Sequence, residues 1–128
     1  MATKILIVDD ERDVETLFRQ KFRKEIRSEK LQLDFAFSGQ EALDILKQKE
    51  PPEVVYVFSD INMPGMTGLE LLDQIKQQFP NINVSMISAY SDSENYEKAM
   101  SSGAKEFFTK PIDFVSLKKE ISTHVNGE

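Results

Sequence analysis

The 128-residue chain contains no cysteine, which excludes a disulfide framework and thiolate chemistry. It is also short of positive charge. Sixteen Lys and Arg stand against 22 Asp and Glu, a net charge of -6, whereas a duplex-binding surface needs clustered basic residues. No direct nucleic-acid role is expected. No apolar run approaches the ~20 residues of a membrane helix, and the start, MATKILIVDD, lacks a signal-peptide pattern. A soluble, cytoplasmic protein without membrane contact follows. Solenoid-type repeats and low-complexity tracts are missing as well. With 40% hydrophobic and 30% charged residues, the composition is that of a folded globular chain. The length suits a single domain over residues 1–128, with an ordered core from about 3 to 125. Much of the basic charge lies in RQKFRKEIR, residues 19–27. There it alternates with apolar positions at helical spacing and reads as a solvated helix face.

What the chain does contain is alternation. Five short apolar runs, Lys4–Val8, Leu31–Phe37, Val54–Ser59, Asn83–Ser88 and Glu106–Thr109, read as strands. Five helical patterns follow them. Val14, Leu17, Phe18, Phe22 and Ile26 recur at spacings of three and four, as a helix laid on a sheet requires. Ala42, Leu43, Ile45 and Leu46 form the apolar side of a second helix, and Leu69, Leu72, Ile75 and Phe79 that of a third, which Pro80 ends. Ser38 with Glu41, Thr67 with Glu70 and Ser91 with Glu94 match the capping box. The fourth helix, SENYEKAMSSG, offers only Tyr96, Ala99 and Met100 to the sheet, and Gly103 is placed to end it as a left-handed C-cap. A helix so thinly anchored is suited to move. The fifth follows Asp113 with Phe114, Leu117, Ile121 and Val125. Strand-helix alternation of this kind predicts an α/β fold: a doubly wound, five-stranded parallel sheet between two layers of helices, five in all.

The unusual polar residues fall at strand ends. The first run ends in Asp9 and Asp10, the third in Asp60, the fourth in Ser88 and the fifth in Lys110. Carboxyl ends of parallel strands share one edge, where open α/β sheets bind ligands. Three carboxylates crowded there repel one another unless a cation sits among them, and hard oxygen donors suit Mg²⁺. A cation, a lysine, a hydroxyl and a central carboxylate suggest phosphoryl chemistry with Asp60 as nucleophile. Taken one at a time these residues have plainer readings. Asp9, Asp10 and Glu11 favour the positive end of a helix, Lys110-Pro111 terminates a strand, and Ser88 is an ordinary strand serine. Their coincidence at four strand ends is what favours the chemical reading.

D-D at 9 and 10, D-I-N-M-P-G-M-T-G from 60 to 68, S-A at 88 and 89 and K-P at 110 and 111 resemble the receiver domain of two-component response regulators. The resemblance runs in order over nearly the whole chain. It implies a flavodoxin-like sheet of order 2-1-3-4-5, with Asp60 as phosphoacceptor. It further implies Mg²⁺, with Mn²⁺ or Ca²⁺ as substitutes, on Asp9, Asp10, Asp60 and the main-chain carbonyl of Asn62. Ser88 resembles the hydroxyl that contacts the phosphoryl group, Lys110 its ion-pair partner and Phe107 the aromatic switch. Many members carry threonine in place of Ser88 and tyrosine in place of Phe107. The implied partners are a histidine kinase or phosphotransfer protein and an output domain or target met by the face of the fourth helix, fifth strand and fifth helix, with a phosphorylation-dependent dimer as a further association. The chain then stands alone or forms the amino-terminal part of a longer signalling protein. It is expected to be a phosphoacceptor signalling domain and not a turnover enzyme. Two other classes compete. A phosphatase of the haloacid-dehalogenase type needs a second acid two residues after the nucleophile, and Asn62 stands there. A phosphate-independent binding module is opposed by the intact set of Asp9, Asp10, Asp60, Ser88 and Lys110.

Overall fold

The third apolar run, buried almost along its whole length, becomes the middle strand of the sheet. The computed structural model describes residues 3–49, 52–89 and 93–125, the last two by backbone alone. Five strands, β1 (Thr3–Val8), β2 (Leu31–Ala36), β3 (Val54–Asp60), β4 (Asn83–Ser88) and β5 (Phe107–Thr109), lie parallel in the order β2-β1-β3-β4-β5. This is the flavodoxin-like order expected. It puts β1 beside β3, with Val8 opposite Ser59, so that Asp9 and Asp60 leave neighbouring strands at one level.

Period-two alternation divides the sheet into two faces. Leu6, Val8, Val57, Val84 and Met86 point into one cluster; Ile5, Ile7, Tyr56, Phe58 and Ile87 point into the other. The first cluster is covered by α3 (Gly39–Lys47), α4 (Gly68–Gln78) and α5 (Ser93–Ser101), the second by α1 (Asp13–Lys21), α2 (Arg23–Arg27) and α6 (Phe114–Val125). The fold is thus three-layered.

The expected five helices become six. The first apolar stripe is continuous in sequence, but the backbone leaves α geometry at Phe22, with φ -106 and ψ 18, and splits α1 from α2. The break falls where the Phe18 and Phe22 rings stack at 5.9 Å and both meet the edge of Phe114, at 5.2 and 6.2 Å. Seating two rings in one pocket takes precedence over helical regularity. Leu17, expected on the buried stripe, is 37% exposed. In α4, Leu71 is buried while Leu69 and Phe79 are half-buried, and Ile45 of α3 is half-buried too. β2 and β5 are each one residue shorter than expected, and β3 runs on to include Asp60.

The helix starts separate in detail. Thr67 and Glu70 form a complete capping box at α4: the Glu70 N–H donates to Thr67 Oγ1 at 3.2 Å and the Thr67 N–H to Glu70 Oε1 at 2.8 Å. At α3 the Glu41 N–H donates to Ser38 Oγ, but the Glu41 carboxylate accepts from the Phe37 N–H, one residue before the cap. Ser91 lies outside the described residues. Asp113 caps α6, its Oδ1 accepting from the Val115 and Ser116 N–H groups. α5 ends as expected. Gly103 has φ 102, its N–H donates to Met100 O, and the Ala104 N–H donates to Ala99 O, a Schellman arrangement.

Candidate functional site

β3 ends on a carboxylate because the strand's carboxyl end is where the apolar sandwich opens. Asp60 is only 6% exposed and Asp9, leaving β1 beside it, only 5%; Asp10 is exposed. One carboxylate oxygen from each of Asp9, Asp10 and Asp60 falls in a group within 4.8 Å. From the far side of β4, Lys110 reaches in from the end of β5. Its Nζ stands 3.1 Å from Asp9 Oδ2, 3.8 Å from Asp60 Oδ1 and 3.8 Å from Glu11 Oε1. Asp9, Asp10, Asp60 and Lys110 therefore meet in space, although Asp9 and Lys110 are 101 residues apart.

Local backbone chemistry fixes the two buried acids. Asp9 Oδ1 accepts from the Glu11 N–H at 2.9 Å, and Asp60 Oδ1 accepts from the Ile61 N–H at 3.0 Å. Ser59 Oγ donates to the Asp60 carbonyl at 2.9 Å. Three carboxylates share one ammonium, and the electrostatics show it. Burial, then the negative charge of Asp9, push the Asp60 carboxyl up to about 6, against the pull of Lys110 and the Ile61 N–H. Burial alone would lower Lys110, but its hydrogen bond to Asp9 and the charges of Asp9, Asp60 and Glu11 carry it above its ordinary value. An excess of hard anionic oxygen at a sheet edge is a donor set that fits a divalent cation of the Mg²⁺ type.

Ser88 closes β4 fully buried, and its carbonyl accepts from the Lys110 N–H at 2.8 Å, tying the end of β4 to the turn after β5. Lys110-Pro111 is a cis peptide bond. Phe107 and Phe108 face opposite ways: Phe107 joins the cluster under α5, Phe108 the cluster under α6. The Phe107 ring is half-buried and meets Tyr96 of α5 edge-on at 5.5 Å. Asn62 is exposed two residues beyond Asp60.

Sequence reasoning gave two glycines no role of their own, although Gly68 closes the motif at 60–68. Gly68, first residue of α4, donates its N–H to Ile61 O at 2.8 Å, and a Cβ there would lie 2.0 Å from the Asp60 carbonyl oxygen. Only a glycine lets the helix start this close to the strand end. Gly39 stands against the same loop. The Thr-Gly pair before an apolar helix was the available signal for the first; nothing local marks the second.

Comparison with known proteins agrees with this geometry. The model of the response regulator receiver domain matches residues 5–122. The chain is 34% identical over 125 residues to sporulation initiation phosphotransferase F of Bacillus subtilis (strain 168), covering 98% of this chain and 95% of that protein. It is 34% identical over 122 residues to response regulator protein PilR of Pseudomonas aeruginosa, covering 94% of this chain but 25% of PilR. It therefore spans nearly all of one relative and a quarter of the other. Among solved structures, the receiver domain of Ssk1, crystallised with the Saccharomyces cerevisiae histidine phosphotransfer protein Ypd1, superposes with a TM-score of 0.79 at 25% identity, over 94% of this chain and 87% of that one.

Proposed function

The chain belongs to the response regulator receiver domain family, and from that membership we propose that it is a phosphoacceptor in a two-component phosphorelay. A histidine kinase or phosphotransfer protein donates the phosphoryl group to Asp60. The observation that carries this reading is one buried carboxylate at the end of the central strand, with two acids and a lysine converging on it. An Asp60 carboxylate oxygen attacks the phosphorus of the donor phosphohistidine. The P–N bond breaks, the imidazole leaves with the electron pair, and an acyl phosphate forms. Lys110, in ion-pair range of Asp60, offers positive charge to the incoming phosphoryl oxygens. Asp9, Asp10, Asp60 and the main-chain carbonyl of Asn62 would hold Mg²⁺, with Mn²⁺ or Ca²⁺ as substitutes, which when bound neutralises charge on the transferring group. Self-phosphorylation and self-dephosphorylation are the only chemistry proposed.

Ser88 and Phe107 act as the switch. Ser88 turns toward the phosphoryl group, Phe107 takes up the freed space, and the α5-β5-α6 face shifts toward an output domain, a target protein or a second copy. Thin anchoring of α5 supports this, since a weakly held element needs little energy to move. The Ypd1 complex of the Ssk1 receiver domain supports the donor class. We read residues 1–128 as one such domain, working in the cytoplasm; among the described residues no helix is long and apolar enough to cross a membrane.

The test is the intact mass after incubation with Mg²⁺ and acetyl phosphate, beside Asp60→Asn and an EDTA-treated sample. A base-labile gain of one phosphoryl group, absent from both controls, is expected. A folded wild type that gains nothing overturns the proposal in favour of a phosphate-independent binding module.

A further inference from the structure

Gly39, first residue of α3, is buried against Met66 in the loop that follows the phosphoacceptor. A methyl group built on Gly39 would meet Met66 Sδ at 2.7 Å and its Cβ and Cγ at 3.0 Å. The flexible sulfur can swing aside, but the Cβ is fixed to the loop backbone, so the loop itself would have to shift. Unlike Gly65, whose φ of 75 favours glycine, Gly39 is held small by space alone.

The loop of residues 61–67 is anchored from inside. Met63 is buried and Met66 half-buried against the α3-α4 cluster, while Asn62, Pro64 and Gly65 are exposed. Its far end is closed by the Gly68 N–H on Ile61 O. We infer that Gly39 and Met66 are a positioning pair: Met66 seated on the first turn of α3 fixes the course of residues 61–67 and so sets the Asn62 carbonyl and the Asp60 carboxylate against Asp9 and Asp10. This rests on the phosphoacceptor reading and adds a residue from a helix that carries none of the site groups.

Calorimetric titration with Mg²⁺ tests it on wild type, Gly39→Ala, Met66→Ala, the double variant and Leu117→Ala, whose side chain lies on the other face of the sheet. Gly39→Ala and Met66→Ala are each expected to raise the Mg²⁺ Kd about tenfold, the lower end for residues that orient metal ligands. Adding Gly39→Ala to Met66→Ala should raise it by less than Gly39→Ala does alone, because Sδ and Cγ are gone and only the Met66 Cβ contact at 3.0 Å remains. Exchange of the Gly68 amide should quicken in both single variants, and Leu117→Ala should lower stability without moving the Kd. Multiplicative effects in the double variant, or an equal change in Leu117→Ala, overturn the pair. Should Gly39→Ala not fold, an unchanged Kd and Gly68 exchange in the half-buried Met66→Ala overturn it as well. A wild type that neither binds Mg²⁺ nor accepts a phosphoryl group sinks the underlying reading instead.

Discussion

α4 and α5 lie on the same face of the sheet and are held to it very differently. α4 buries Leu71, Leu72 and Ile75 completely, starts on a full capping box and abuts the Asp60 carbonyl through Gly68. α5 buries only Ala99; its Tyr96 is 49% exposed. At about 1.5–3 kcal/mol for a fully buried Leu or Ile side chain, against about 0.8 kcal/mol for a methyl, the difference in anchoring is several kcal/mol. The helix beside Asp60 is firmly held, and the helix over Phe107 is lightly held. The phosphoacceptor switch proposed above needs both, a fixed site and a movable reporter.

The comparison is broken most directly by truncation. Leu72→Ala should cost about 2–5 kcal/mol in urea unfolding, whereas Tyr96→Ala, losing mainly an edge-on contact with Phe107, should cost about 1 kcal/mol. Equal costs would mean that α5 is no looser than α4.

Charge sharpens the same contrast, because the acids stand at the fixed end. The Asp60 carboxyl is raised from 3.8 to about 6, so between those values the folded protein holds a proton that the unfolded chain releases. The stability this represents is present below pH 3.8 and is lost as pH rises through about 6. Above that point Asp60 is ionised among like charges, and a bound cation relieves them. Mg²⁺ is therefore expected to raise the unfolding midpoint at about pH 7.5 and to do little at about pH 4.5. The accompanying gain in amide protection should fall on residues 61–68 and leave α5 unchanged. A midpoint shift of the same size at both pH values would place the ion somewhere other than on Asp60.

Much of this was legible in the sequence because it rests on period and polarity. Strand-helix alternation gives the three layers, and polar residues at the ends of apolar runs give Asp9, Asp10, Asp60, Ser88 and Lys110. The thin apolar side of α5 could be counted from Tyr96, Ala99 and Met100. What stayed hidden depends on packing between distant segments. The apolar spacing from Val14 to Ile26 carries no sign that Phe18 and Phe22 will share a pocket with Phe114 and break the helix. Ser-x-x-Glu at 38 and 41 and Thr-x-x-Glu at 67 and 70 fit the same capping pattern, yet only the second closes both bonds. Gly39 looks like any helix start until Met66 arrives from 27 positions along the chain.

That second capping box supplies the finest test. Thr67→Ala removes the acceptor for the Glu70 N–H and should cost about 1 kcal/mol, a small effect but one at a chosen place. If α4 and the loop before it form one fixed unit, exchange of the Glu70 and Gly68 amides should quicken together, since the first turn of α4 and the Ile61 carbonyl are joined through Gly68. Amides of α5 should keep their wild-type rates, because the Gly103 cap that ends α5 is separate from the Thr67 cap that starts α4. Faster exchange in α5 as well would show that the two helices open as one cooperative segment. The division between a fixed helix and a yielding one would then fail at its weakest joint.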